Sequence, residues 1–137
     1  KDYNKAINLI NTSKEWPEQL GVGKPYNVDE RIQDYLLFYC YSKLDNNNAE
    51  KYLKKIIDYS RSNIKNKSFS HWLGLKAIKK LEGIEASKKF SMQLLSSSHG
   101  STEETRWIIK NFFNTKDSIN QELNQNFKII HEILMLN

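Results

Sequence analysis

A single cysteine, Cys40, excludes an internal disulfide, so no cystine framework holds this chain together. No apolar run approaches the roughly 18 residues that a membrane-crossing helix needs. Valine occurs only at Val22 and Val28, and the stiff β-branched residues that favour strands are otherwise mostly isoleucine, which also suits helices. Arginine is scarce: 18 of the 21 basic residues are lysine. The fork geometry usually used for bidentate phosphate recognition is therefore largely missing. Both prolines (Pro17, Pro25) and two of the five glycines (Gly21, Gly23) crowd into Trp16 to Tyr26, which reads as a loop and leaves the rest free of proline.

What is present is an ordinary globular balance, 39% hydrophobic and 27% charged over 137 residues, which excludes wholesale disorder and fibrous classes. Apolar residues recur at helical spacing throughout. Tyr3, Ala6, Ile7 and Ile10 share one helix face. Asp29 reads as the N-cap of a second helix with Ile32, Tyr35, Leu36, Tyr39 and Cys40. The polar turn Asp45 to Asn48 separates it from a third helix, about Asn47 to Arg61. A fourth is expected from Ser68 to Leu81, a fifth from Ile84 to about Ser96, a sixth opened by the capping pair Ser101 and Glu104, and a seventh from Asp117. No segment alternates with period two, so the expected fold class is all-α, with about seven helices joined as antiparallel hairpins.

The hairpins carry a partial repeat. Ala6, Ala49 and Ala86 each lie just inside a helix, each followed four residues later by a large apolar residue (Ile10, Leu53, Phe90), and Leu36 and Leu73 precede the last two by thirteen residues. A small residue where helices cross lets the backbones approach, and the larger one a turn away fills the space beside it. The Asp2-Tyr3-x-x-Ala6 start, Leu73-Gly74 and the Ala86/Phe90 pair resemble tetratricopeptide (TPR) repeats over residues 1–96, starting at the second helix of a repeat. The Ala spacings of 43 and 37 residues exceed the regular period of about 34, and Leu37 stands where that family usually has Gly. The resemblance implies a right-handed superhelix, with residues 97–137 as a helical pair that caps or continues the array. Trp16-Pro-Glu-Gln-Leu-Gly-Val-Gly-Lys-Pro-Tyr26 also resembles large bacterial proteins in which such repeats follow β-rich, sugar-mutarotase-like domains. The absence of an initiator Met fits the expectation of a fragment of a longer bacterial chain. Its compartment, cytoplasmic or periplasmic, stays open.

Catalytic and metal signatures are missing from the sequence. Gly21-x-Gly23-Lys24 lacks the spacing of a phosphate loop and is followed by Pro25. His71, His99, His131 and Cys40 share no ligand spacing, and a calcium loop begun at Asp45 would place Glu50 where Gly is required. Cys40, one turn from Leu36, reads as a core thiol. A non-catalytic protein-interaction or assembly module is therefore expected, with no cofactor and no metal. An accessory domain of a carbohydrate-related protein and a nucleic-acid binder are the alternatives.

The charge is uneven. Residues 51–89 carry a net +8, against −2 before them and −1 after. That block suits an acidic partner or nucleic acid, although lysines between core positions more often form a solvated face. Carried over residue by residue, the TPR resemblance places a concave ligand face at Arg31, Asp34, Phe38, Tyr41 and Ser42 of one helix and His71, Leu75 and Lys79 of another. Phe38 and Tyr41 also fall off the Leu36/Cys40 face, so they need either a helix or a ligand against them. Flanked by Arg31 and Lys79, they would suit an extended peptide carrying a carboxylate, or a stacked sugar.

Overall fold

The connection between α4 (His71–Glu82) and α5 (Ile84–Ser96) is a single residue, Gly83, whose φ of +94° no side chain tolerates comfortably. The computed structural model describes residues 2–17, 21, 23–66, 68–97 and 103–113. Within them the chain is all-helical, with α1 (Tyr3–Ser13), α2 (Arg31–Lys43), α3 (Ala49–Ser62) and α6 (Glu103–Phe113) completing six helices and no strand. The seventh helix expected from Asp117, the capping residue Ser101 and most of the pair expected over 97–137 lie outside the described residues.

Local chemistry sets the helix ends. The Asp2 carboxylate accepts the Lys5 amide proton at 3.0 Å and caps α1. At the end of α2, Asp45 takes φ +51°, its N–H donates to Ser42 O, and the Asn46 N–H reaches back to Tyr41 O at 3.1 Å. This is the left-handed terminator in which two successive N–H groups satisfy the last carbonyls of the helix, here with Asp at the place glycine usually takes. Asn46 Oδ1 then accepts the Asn48 N–H, completing the polar turn into α3. Two expected boundaries shift. The N-cap position of α2 is Glu30, whose side chain makes no capping bond, while the Asp29 carboxylate one residue earlier accepts the Arg31 backbone N–H at 3.2 Å as well as the Arg31 side chain. The fourth helix starts at His71 instead of Ser68, whose hydroxyl is held by the same pair.

Each helix packs on the next, and beyond that α2 touches α4 and α4 touches α6. Tyr35 faces Lys76 and Phe38 faces Lys80, both pairings running forward along the chain, so α2 and α4 point the same way and the intervening α3 runs back. Because α2 is enclosed by α1, α3 and α4, it is buried nearly all round: Tyr35, Leu37, Phe38 and Cys40 all belong to the core, while Leu36 is half-buried. The expected Leu36/Cys40 face is thus too narrow. Leu37, Leu53, Ile56, Leu73, Leu75, Ala77, Ile78, Phe90 and Leu94 form the centre of the core, and full burial of one such leucine contributes about 2 kcal/mol. α3 approaches α4 closely at Gly74, where a Cβ would lie 2.8 Å from Ser60 Cβ and collide with its hydroxyl. An aromatic cluster joins α4 to α6, Trp72 packing 5.9 Å from both Trp107 and Phe112.

Candidate functional site

The eight residues expected on one ligand face separate into three environments. The first is a buried polar junction at the start of α2. Arg31, 1% exposed, uses every one of its five side-chain N–H donors within the chain. Nε and Nη2 grip the two Asp29 oxygens at 2.8 and 2.7 Å, Nη1 donates to Ser60 Oγ and His71 Nδ1 at 3.0 and 3.1 Å, and Nη2 also reaches Ser68 Oγ at 3.1 Å. The Tyr59 ring covers the guanidinium at 5.0 Å. Since arginine only donates, His71 Nδ1 accepts, which puts the imidazole proton on Nε2, facing Asn66 O at 2.8 Å. Burial, reinforced by the Arg31 charge, pushes the His71 pKa down to about 4, so the ring is neutral at physiological pH. Burial opposes the Asp29 charge, but the Arg31 bonds outweigh it and hold that carboxyl below its usual range. Arg31 and His71 thus join α2, α3 and α4 internally.

The second environment is also internal. Asp34 is buried against Lys14 at 2.6 Å, and Lys14 reaches Glu30 at 2.9 Å. Lys24 pairs with Glu30 and donates to Lys14 O, which ties the proline-containing connector to the start of α2. Leu75 is fully buried elsewhere in the core, whereas Tyr41 is half-buried at the surface and lies parallel to Tyr52 with ring centroids 5.4 Å apart.

The third is a surface groove of about 580 Å³ between α2 and α4, and it includes Phe38, Ser42 and Lys79. Tyr35, Phe38 and Tyr39 form its aromatic side; Lys76 and Lys80 face them from α4, Lys79 lines the groove with its ammonium 5.6 Å from the Phe112 ring of α6, and Lys43 joins from the end of α2. On each helix the three residues stand at i, i+3 and i+4, the spacing that puts them on one face. Lys76 sits over the Tyr35 ring at 5.5 Å, Lys80 over Phe38 at 5.6 Å, and Lys43 over Tyr39 at 5.2 Å. Lys76 Nζ also donates to Tyr35 Oη at 3.3 Å, and burial together with the neighbouring Lys79 lowers its pKa. Among the described residues, no carboxylate lines the groove and neither Lys79 nor Lys80 forms an ion pair. The cations beside Phe38 are therefore lysines of α4 and α2, and Arg31 is not among them. Tyr35, Tyr39, Lys43, Lys76 and Lys80 are groove residues that the repeat pattern did not point to, although the matching aromatic and lysine spacings were readable.

No three His, Cys, Asp or Glu side chains converge among the described residues, and no helix there is long and apolar enough to cross a membrane. Cys40 is buried, and that burial raises its thiol pKa. No family model, curated protein or solved structure matches the chain.

Proposed function

We propose that the chain is a non-catalytic protein-interaction module, built as a TPR-like right-handed stack of hairpins, that holds an acidic extended segment of a partner protein in the α2/α4 groove. The observation that carries this reading is the groove itself: three aromatic side chains beside four lysines, three of them on the facing helix, with no carboxylate among the described lining residues. An extended peptide would lay apolar side chains on Tyr39 and on the exposed edges of Tyr35 and Phe38 and direct carboxylates at Lys79 and Lys80, a division of labour in which the rings supply contact and the charges supply register. The packing pattern supports the stacked arrangement, since α2, α4 and α6 approach one another along one side while no comparable α3 to α5 contact exists among the described residues.

The positive charge of residues 51–89 is spread over separate surfaces. Lys76, Lys79 and Lys80 line the groove, Lys65 and Lys89 line a different cleft, and Lys88 pairs with Glu85. Such a distribution suits local acidic groups better than a continuous nucleic-acid track. Fluorescence anisotropy with a labelled short peptide alternating Glu and Leu tests the proposal. Binding should fall at least tenfold in Lys79→Glu/Lys80→Glu and stay unchanged in the charge-matched Lys54→Glu/Lys88→Glu. Equal losses in the two variants would reduce the effect to net charge.

A further inference from the structure

A second concavity, of about 710 Å³, separates the end of α3 from one face of α5 and shares no residue with the groove. Its floor is apolar, made by Ile64, Ala86 and Phe90. Its walls carry Arg61, Lys65, Lys89 and Gln93, and the one carboxylate among the described lining residues is Glu82, which Arg61 Nη2 holds at 2.6 Å. That bond uses one of the five guanidinium donors, and none of the others meets a described residue. Lys65, Lys89 and the Gln93 side-chain amide make no hydrogen bond or ion pair with the described residues either. Ser96 and Ser97, at the end of α5, donate their hydroxyl protons to Gln93 O and Leu94 O at 3.1 and 2.8 Å, so their oxygens are left as acceptors at the rim.

We propose that this cleft is a binding site for a compact oxyanion, a polycarboxylate or a small phosphate compound. Donors from three places in the chain converge on a space of ligand size: the last turn of α3, the turn after it, and the middle of α5. With Glu82 neutralised by Arg61, the cleft holds two cationic lysines in excess, and the free edge of Arg61 offers a bidentate contact to a carboxylate or phosphate. The serine oxygens accept from a hydroxyl on the same molecule. Nothing in this site depends on the α2/α4 groove.

Amide-resolved NMR titration with citrate and, separately, inorganic pyrophosphate tests the site and distinguishes a carboxylate from a phosphate ligand. At least one of the two should shift the amides of Lys65, Lys89, Gln93 and Ser97 with saturation. Lys65→Gln/Lys89→Gln should weaken that binding at least tenfold, while Lys54→Gln/Lys88→Gln, the same change of charge outside the cleft, should leave it intact. Glu82→Gln should strengthen binding severalfold by freeing Arg61, and Glu85→Gln should not. All four variants change exposed residues, so folding is kept and is checked by the unperturbed amides. Shifts that follow net charge equally in the paired variants, or no saturable shift with either anion at millimolar concentration, would overturn the proposal.

Discussion

Arg31 and His71, forty positions apart in sequence, meet at 3.1 Å with the guanidinium Nη1 donating to the imidazole Nδ1. Neither group is held by its own helix. The contact exists because α2 and α4 run the same way past the end of α3, where Ser60 takes another Nη1 proton and Gly74 lets α3 and α4 close.

Replacing Arg31 should be severe. Arg31→Met leaves Asp29 without its bidentate partner and strips the bonds from Ser60, Ser68 and His71. Asp29 keeps 31% of its side chain exposed, so the loss comes chiefly from the buried Ser60 and His71 groups left without their donor, together about 2–3 kcal/mol. Urea denaturation should show that loss, and Arg31→Lys should recover little of it, since one ammonium has three donors where five are used. A loss below about 1 kcal/mol in Arg31→Met would mean that the junction contributes little.

The same junction makes stability pH-dependent. His71 titrates near 4 in the folded chain against about 6.5 when unfolded, so between those values the unfolded state binds the extra proton. Stability should be flat above about pH 7, fall by about 3 kcal/mol as pH drops from 6.5 to 4, and gain no further slope from His71 below that. The Asp29 carboxyl, held low, adds a loss of the same sign only at the acid end. Urea midpoints measured across this range should lose most of their slope in His71→Gln. An unchanged slope would assign the acid sensitivity to other groups.

Gly74 is a position of close approach with no special backbone angle. Gly74→Ala should destabilise by about 1–3 kcal/mol, because the new methyl overlaps Ser60 Cβ. In a Ser60→Gly background the overlap disappears and most of that penalty should vanish, a coupling that a double-mutant cycle reads directly. Additive effects would show that Gly74 is tolerant of a side chain.

Helices were legible wherever punctuation was strong. The break at Gly83 places α5 at Ile84–Ser96 as the sequence implies, and the Asp45 to Asn48 turn separates α2 from α3. The Ala and large-residue pairing also points to buried positions, Ala49 with Leu53 and Phe90 after Ala86. What composition and spacing could not reveal was the surroundings of α2. A helix covered on three sides buries polar and apolar residues alike, so its inward face cannot be read from a single stripe: Arg31 and Asp34 are buried beside Leu37 and Phe38. The junction required knowing which helices meet, a long-range fact absent from local pattern. The groove was partly legible through Phe38, Ser42 and Lys79. Its other residues follow from noticing that aromatics at 35, 38 and 39 and lysines at 76, 79 and 80 share one spacing on two helices that prove to be neighbours.

The most direct test of the interaction groove is to map where an acidic peptide lands. In an amide-resolved NMR titration with the alternating Glu-Leu peptide, the account predicts saturable shifts concentrated at Tyr35, Phe38, Tyr39, Lys76, Lys79 and Lys80, weakening steeply as salt is raised. Shifts spread evenly over exposed lysines such as Lys54 and Lys88, or no saturable shift around Phe38, would contradict it.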